Sequence, residues 1–139
     1  MMPPSRVLFL CVGNTCRSQM AEAIVNASMG GQWEAFSAGS KPEEDVNPLA
    51  LQALAEIGIA HRGRPKLVDE FRQMPFDLVV VLCASDDDQC PVWLGRDKVV
   101  HQPYPDPAKS RGTMAERMDA YRSVRDRMVE EIPHMLAKN

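Results

Sequence analysis

The run Cys11-Val12-Gly13-Asn14-Thr15-Cys16-Arg17-Ser18 places a cysteine and an arginine at the two ends of a short loop, between an apolar segment and an amphipathic one. A loop entering a helix N-terminus aims several backbone N–H groups inward, and the helix dipole adds positive potential. Such a cradle fits a tetrahedral oxyanion. Arg17 can grip two of its oxygens, and the same field favours a Cys11 thiolate. Ser18 offers a further hydrogen bond to the sulfur. Gly13 is expected to take a backbone angle that a Cβ would forbid. Asn14 is expected to tolerate a left-handed angle while its amide braces the loop. Cys16 lies inside the loop but away from the nucleophile position and reads as structural.

A second constellation is Cys83-Ala84-Ser85-Asp86-Asp87-Asp88-Gln89-Cys90-Pro91, two cysteines flanking an acidic stretch. A third is Tyr104-Pro105-Asp106-Pro107-Ala108, where flanking prolines hold a carboxyl in place for proton transfer. The segment that follows, Ala108-Lys109-Ser110-Arg111-Gly112, holds no aromatic residue. A zinc site made from the four cysteines is a weak rival, because Cys83 and Cys90 are spaced too widely for a usual ligand pair. His61, His101 and His134 form no ligand pattern and receive no role. The basic stretch His61-Arg62-Gly63-Arg64-Pro65-Lys66 reads mainly as a solvated loop.

These groups need a scaffold to bring them together. Val7 to Leu10 reads as a buried strand, 18–27 as a helix, 34–38 as a weaker strand ended by Gly39, and 48–57 as a helix. The apolar run Leu78 to Leu82 is the strongest strand, and such runs occur where both faces of a parallel sheet are covered. Val99-Val100 marks a fourth strand. A last helix from about 113 to 136 carries Met114, Met118, Tyr121, Met128, Ile132 and Met135 on one stripe, read as core. Alternating strands and helices imply an α/β layered fold with right-handed crossovers, in which ligands bind beyond the carboxyl ends of the strands. Cys11, Cys83 and Asp106 each follow a strand, so the topology gathers them on one rim.

The chain has 139 residues, 45% hydrophobic and 25% charged, which is one domain (1–139) of ordinary soluble composition. A net charge of −3 argues against a nucleic-acid binder driven by phosphate contacts. No apolar run reaches membrane-span length, and the N-terminus lacks a signal peptide's layout, so a cytoplasmic protein is expected. Neither a Gly-x-Gly-x-x-Gly nor a Walker loop occurs, so no organic cofactor is expected.

The Cys11–Ser18 segment resembles the signature of the low-molecular-weight protein tyrosine phosphatase superfamily. Within it, Gln19-Met20-Ala21-Glu22 and the Cys83/Cys90 pair resemble the thioredoxin-coupled arsenate reductases; the phosphatases usually carry Pro at the position of Gln19 and lack the pair. Ser37-Ala38-Gly39 and Val46-Asn47-Pro48 also match, and the likeness runs from about Val7 to Leu136. The resemblance implies a four-stranded parallel sheet in the order 2-1-3-4 with helices on both faces, Cys11 beside Cys83. It implies that Cys11 attacks arsenate, that residues 12–18 bind the oxyanion, and that Asp106 is the general acid. It further implies a relay in which a Cys11–Cys83 disulfide passes to Cys83–Cys90, which thioredoxin reduces. The segment between Cys83 and Cys90 is expected to loop out when that bond forms, because a helix would hold their Cα atoms about 10.5 Å apart. Gln102 replaces a Trp common in the reductases. Some reductases bind potassium near Asn14, Glu22 and Ser37, and Lys66 is expected to stand in for that ion beside Glu22. A tyrosine or small-phosphoester phosphatase and a non-enzymatic redox sensor are the alternatives. A monomer is expected.

Overall fold

The computed structural model describes residues 3–84, 90–93 and 95–139. The apolar runs become strands β1 (Ser5–Cys11), β2 (Trp33–Gly39), β3 (Leu78–Val81) and β4 (Val99–His101). The amphipathic stretches become helices α1 (Arg17–Ser28), α2 (Pro48–Glu56) and α3 (Met114–Ala137). The four strands pair in parallel in the order β2-β1-β3-β4. The central strands β1 and β3 run Val7 beside Leu78 through Leu10 beside Val81, so the chain leaves both at the same edge. That register brings Cys11 and Cys83 to one rim.

Alternation along the strands splits the interior into two cores. Val7, Phe9, Leu78 and Val80 face α1, α2 and α3, meeting Met20, Ile24, Leu54, Tyr121, Met128 and Ile132. Leu8, Leu10, Val79 and Val81 face the other way, onto a 3₁₀ helix (Val68–Phe71) and the rings of Phe71, Phe76 and Trp93. Both faces carry helix, but unequally among the described residues. On the thinner face Phe76 meets Trp93 edge-on at 6.0 Å and Phe36 at 5.7 Å. Such aromatic pairs add about 0.5–1.5 kcal/mol each beyond their buried area.

The α3 stripe needs correcting at its ends. Met118, Tyr121, Met128 and Ile132 are buried, as are Val124 and Leu136, but Met114 is 60% exposed and Met135 only packs at the edge. Met114 opens the helix directly after the Thr113 cap. Thr113 Oγ1 accepts from Glu116 N and Glu116 Oε1 accepts from Thr113 N, a reciprocal cap. α2 is started by Asn47, whose Oδ1 accepts from Leu49 N, with Pro48 in the first turn.

Candidate functional site

The loop between β1 and α1 is built by elements far away in sequence. Lys41 N donates to Val12 O (2.9 Å), Glu43 N to Gly13 O (3.1 Å) and Asn47 N to Thr15 O (3.0 Å). Residues 41–47 therefore lie along the loop as a strap. Because each peptide is trans, taking these three carbonyls turns the N–H groups of Gly13, Asn14 and Cys16 away from the strap. Gly39 ends β2 beneath the loop, where a Cβ would stand 2.3 Å from Val12 O. Only glycine permits that approach. The left-handed residue of the loop is Asn14, at φ 51°, as expected. Gly13 does not have a positive φ, and a methyl group there would make only ordinary contacts. Its expected conformational role falls to Asn14, whose side chain compensates the backbone cost.

Asn14 is completely buried and spends every polar atom. Its Oδ1 accepts from Lys66 N (2.8 Å) and Gln19 Nε2 (3.0 Å), and its Nδ2 donates to Ser18 Oγ (2.7 Å). The same Ser18 Oγ lies 2.7 Å from Cys11 Sγ, within hydrogen-bond distance. Arg17 is 3% exposed. One guanidinium nitrogen donates to Tyr104 O at 3.1 Å, and another lies 3.7 Å from Asp106 Oδ2. Asp106 Oδ1 accepts from Ala108 N at 3.0 Å, capping a 3₁₀ turn (Pro107–Lys109) and fixing the carboxyl's direction. Cys11, Arg17, Ser18 and Asp106 thus converge, and Tyr104 joins them through its backbone carbonyl, which no motif pattern signals. Arg127 lies over the Tyr104 ring, 4.8 Å from its centre.

Cys16 is buried against Tyr121, and burial, seconded by the negative charge of Asp106, pushes its thiol up to about 12. It stays a neutral thiol, consistent with a structural residue. Cys83 and Cys90 form a disulfide with Cα atoms 5.9 Å apart, while Cys11 and Cys16 are free thiols. That separation falls in the range a disulfide requires. The expected looping of the segment between them falls on residues 85–89, which lie outside the described residues.

Behind the loop lies a cluster that the sequence reading undervalued. Glu22 Oε1 accepts from Ser37 Oγ (2.9 Å) and lies 3.8 Å from Lys66 Nζ. Lys66 Nζ also donates to Arg64 O at 2.8 Å. The expected Lys66–Glu22 partnership is therefore present at ion-pair distance. His61, which received no role, takes part: its Nε2 is 2.7 Å from Gln19 Oε1 and 3.8 Å from Glu22 Oε2. Gln19 Nε2 already donates to Asn14 and to Arg64 O, so its Oε1 must accept and His61 Nε2 carries the proton. Burial holds His61 below its usual value, opposed by Glu22 and seconded by Lys66, and burial also lowers Lys66. The basic stretch is thus only half a solvated loop. Arg62 and Arg64 are exposed, whereas His61 and Lys66 point inward because α1 offers them Gln19 and Glu22. The helical spacing of Gln19 and Glu22 is a legible signal of a shared face, but their partner is set by topology. No group of residues suited to a metal ion occurs among the described residues.

The pattern of the low molecular weight phosphotyrosine protein phosphatase family matches residues 6–138. An arsenate reductase of Halalkalibacterium halodurans is 39% identical over 127 residues, 91% of each chain. An arsenate reductase structure from Archaeoglobus fulgidus superimposes with a TM-score of 0.80 at 34% identity, covering 94% of this chain and 98% of that one. A thioredoxin-dependent arsenate reductase of Corynebacterium glutamicum gives a TM-score of 0.68 at 26% identity, over 99% of this chain and 64% of that one. With the loop, the arginine and the sheet order all in place, this chain belongs to the low molecular weight phosphotyrosine protein phosphatase family.

Proposed function

We propose that this protein reduces arsenate to arsenite and is recycled by thioredoxin. The observation that carries the reading is a Cys83–Cys90 disulfide at the rim that also holds a free, hydrogen-bonded Cys11. Hydrolysis needs no such pair. Arsenate reductase relatives over nine-tenths of the chain support the substrate, and the thioredoxin-dependent neighbour supports the reductant.

The chemistry runs in four steps. Cys11 thiolate attacks arsenic, with Arg17 and the loop N–H groups of residues 12–18 holding the oxyanion, while Asp106 gives a proton to the departing oxygen, which leaves as water. Cys83 then attacks Cys11 Sγ. The S–As bond breaks with both electrons passing to arsenic, releasing arsenite and leaving a Cys11–Cys83 disulfide. Cys90 attacks Cys83, frees the Cys11 thiolate and leaves Cys83–Cys90. Thioredoxin supplies two electrons to that bond. The protein acts on this reading as a cytoplasmic monomer of one domain, 1–139, without nucleic acid; no helix among the described residues is long and apolar enough to cross a membrane.

The decisive assay couples arsenate to NADPH oxidation through thioredoxin and thioredoxin reductase. One NADPH per arsenate is expected, and no arsenate-dependent consumption would overturn the reading. The second reading, phosphoester hydrolysis, is favoured by the assembled Cys11, Arg17 and Asp106, which suffice for it without the second cysteine pair. It would consume no reductant.

A further inference from the structure

At the rim, a closed Cys83–Cys90 bond stands beside a free Cys11 thiol. In that combination no electrons are available for arsenate. The parts that act on an oxyanion are nevertheless all in place. Ser18 Oγ lies 2.7 Å from Cys11 Sγ. The Arg17 guanidinium donates to Tyr104 O at 3.1 Å and lies 3.7 Å from Asp106 Oδ2. Asp106 Oδ1 accepts from Ala108 N at 3.0 Å, and the strap holds the carbonyls of Val12, Gly13 and Thr15. A cavity of about 380 Å³ opens against Val12, Gly13, Thr15 and Asp106, which gives an oxyanion a way in.

The backbone explains how the bond and the cradle coexist. Leu82, the residue before Cys83, is pinned on both sides. Its N donates to Leu10 O at 2.8 Å, and its O accepts from Tyr104 N at 3.1 Å. Leu10 directly precedes Cys11, and Tyr104 is the residue whose carbonyl holds Arg17. Leu82 is completely buried, where a hydrogen bond is stronger than in water. Closing the Cys83–Cys90 bond therefore acts on chain beyond this clamp, while the nucleophile and the arginine are held from within it.

We propose that the Cys83–Cys90 disulfide form is itself a working phosphomonoesterase, so the protein keeps a hydrolytic activity when oxidation of its cysteine pair has stopped reduction. This deepens the second reading above and rests on Cys11 being the nucleophile of an oxyanion site. The phosphoryl group of the ester passes to Cys11 Sγ as the P–O bond breaks, and the leaving oxygen takes its proton from Asp106. Water then cleaves the S–P bond, gives a proton back to Asp106 and releases inorganic phosphate. No electron moves, and the Cys83–Cys90 bond is neither made nor broken. In the arsenate cycle the same geometry lets arsenate enter the Cys11 loop before thioredoxin has acted, so the two need not bind in a fixed order.

The test compares the unaltered protein in two redox states. Diamide, an oxidant that joins thiol pairs, prepares the disulfide form, and peptide mapping verifies the Cys83–Cys90 link and a free Cys11. Dithiothreitol, removed before assay, prepares the reduced form. The disulfide form should hydrolyse para-nitrophenyl phosphate with a kcat/KM within about fivefold of the reduced form's. Against chloride at matched ionic strength, inorganic phosphate should raise the melting temperature of both forms. A larger loss of kcat/KM in the disulfide form overturns the proposal, as does hydrolysis that only tracks the residual reduced fraction. So does a disulfide form whose melting temperature phosphate leaves unmoved. Hydrolysis by the reduced form alone would strike this proposal and leave Cys11 as the nucleophile, whereas hydrolysis by neither form would strike both. Failure of the arsenate reading would show separately, in the NADPH-coupled assay.

Discussion

Between Cys11 and Ser18, buried polar side chains and backbone carbonyls are held from several distant places: the strap 41–47, the end of β2, the Gln19 amide, Lys66 N and Tyr104 O. The described residues of 83–93 are held otherwise. Cys83 is tied to Cys90 by one covalent bond, Trp93 rests on Phe76 and donates to Asp97 Oδ2 at 3.0 Å, and Cys90 packs at the edge of the thinner core. The contrast matches what each cysteine is asked to do. An oxyanion cradle works by having its dipoles in place before charge develops, so it is over-determined. A relay cysteine must bond first to one sulfur and then to another, so it cannot be fixed by many independent restraints.

The sharpest way to break the comparison is at its rigid end. Cys11→Ser should lower both arsenate reduction and phosphoester hydrolysis by at least about a thousandfold, since the hydroxyl has no base nearby. Paired assays on arsenate and para-nitrophenyl phosphate check this, and substantial turnover of either would remove Cys11 from the nucleophile position. Cys90→Ser separates the two regions. We predict that it halts arsenate reduction after a single turnover and leaves phosphoester hydrolysis near the parent's. Intact-mass and peptide analysis should find the Cys11–Cys83 bond accumulating, and continuous thioredoxin-driven turnover would contradict the relay.

Asn14→Ala probes how much rigidity the loop needs. It strands Lys66 N and the Gln19 amide and puts alanine at φ 51°. A loss of about 2–4 kcal/mol in denaturant unfolding is expected from the orphaned donors and the backbone strain. Activity should drop with it; parent-like stability would show that the network is dispensable.

A smaller effect concerns the support behind the loop. The folded protein holds His61 below its usual value, while the unfolded chain titrates near 6.5. As pH falls through that value the unfolded state binds the proton first, so stability is lost on the acid side of about 6.5. Gln19, Glu22 and Lys66 are the groups that face the ring. His61→Gln, which keeps a donor for Gln19, should flatten the decline in melting temperature between about pH 7 and about pH 5.5. An unchanged slope would assign the acid sensitivity elsewhere. The smallest expected effect is none: with Lys66 Nζ already 3.8 Å from Glu22, exchanging potassium for sodium at constant ionic strength should leave melting temperature and turnover unchanged. A potassium-specific stabilisation would refute the substitution of Lys66 for the ion.

Much of this molecule can be read from local chemistry. The four apolar runs, the Gly39 stop, the Asn47-Pro48 helix start and the Cys-to-Arg loop are each written in a few adjacent residues, because strand burial, capping and anion binding are short-range rules. The 3₁₀ helix Val68–Phe71 and the pairing of Phe71, Phe76 and Trp93 carry no such local period, and only packing reveals them.

The same division holds at the site. Residue types and spacing by themselves mark Cys11 and Arg17 as the two ends of a loop between a strand and a helix, Asn14 as the residue that takes the left-handed angle, and Asp106 as a carboxylate set between two prolines. Tertiary structure alone decides that Glu43 overhangs Gly13, that Tyr104 O holds Arg17, and that His61 reaches Gln19 across 42 positions of sequence. The reason is physical. A backbone angle or a cap depends on neighbours within a turn, whereas the partner of a side chain that leaves its own element depends on which other chain the sheet order brings opposite it.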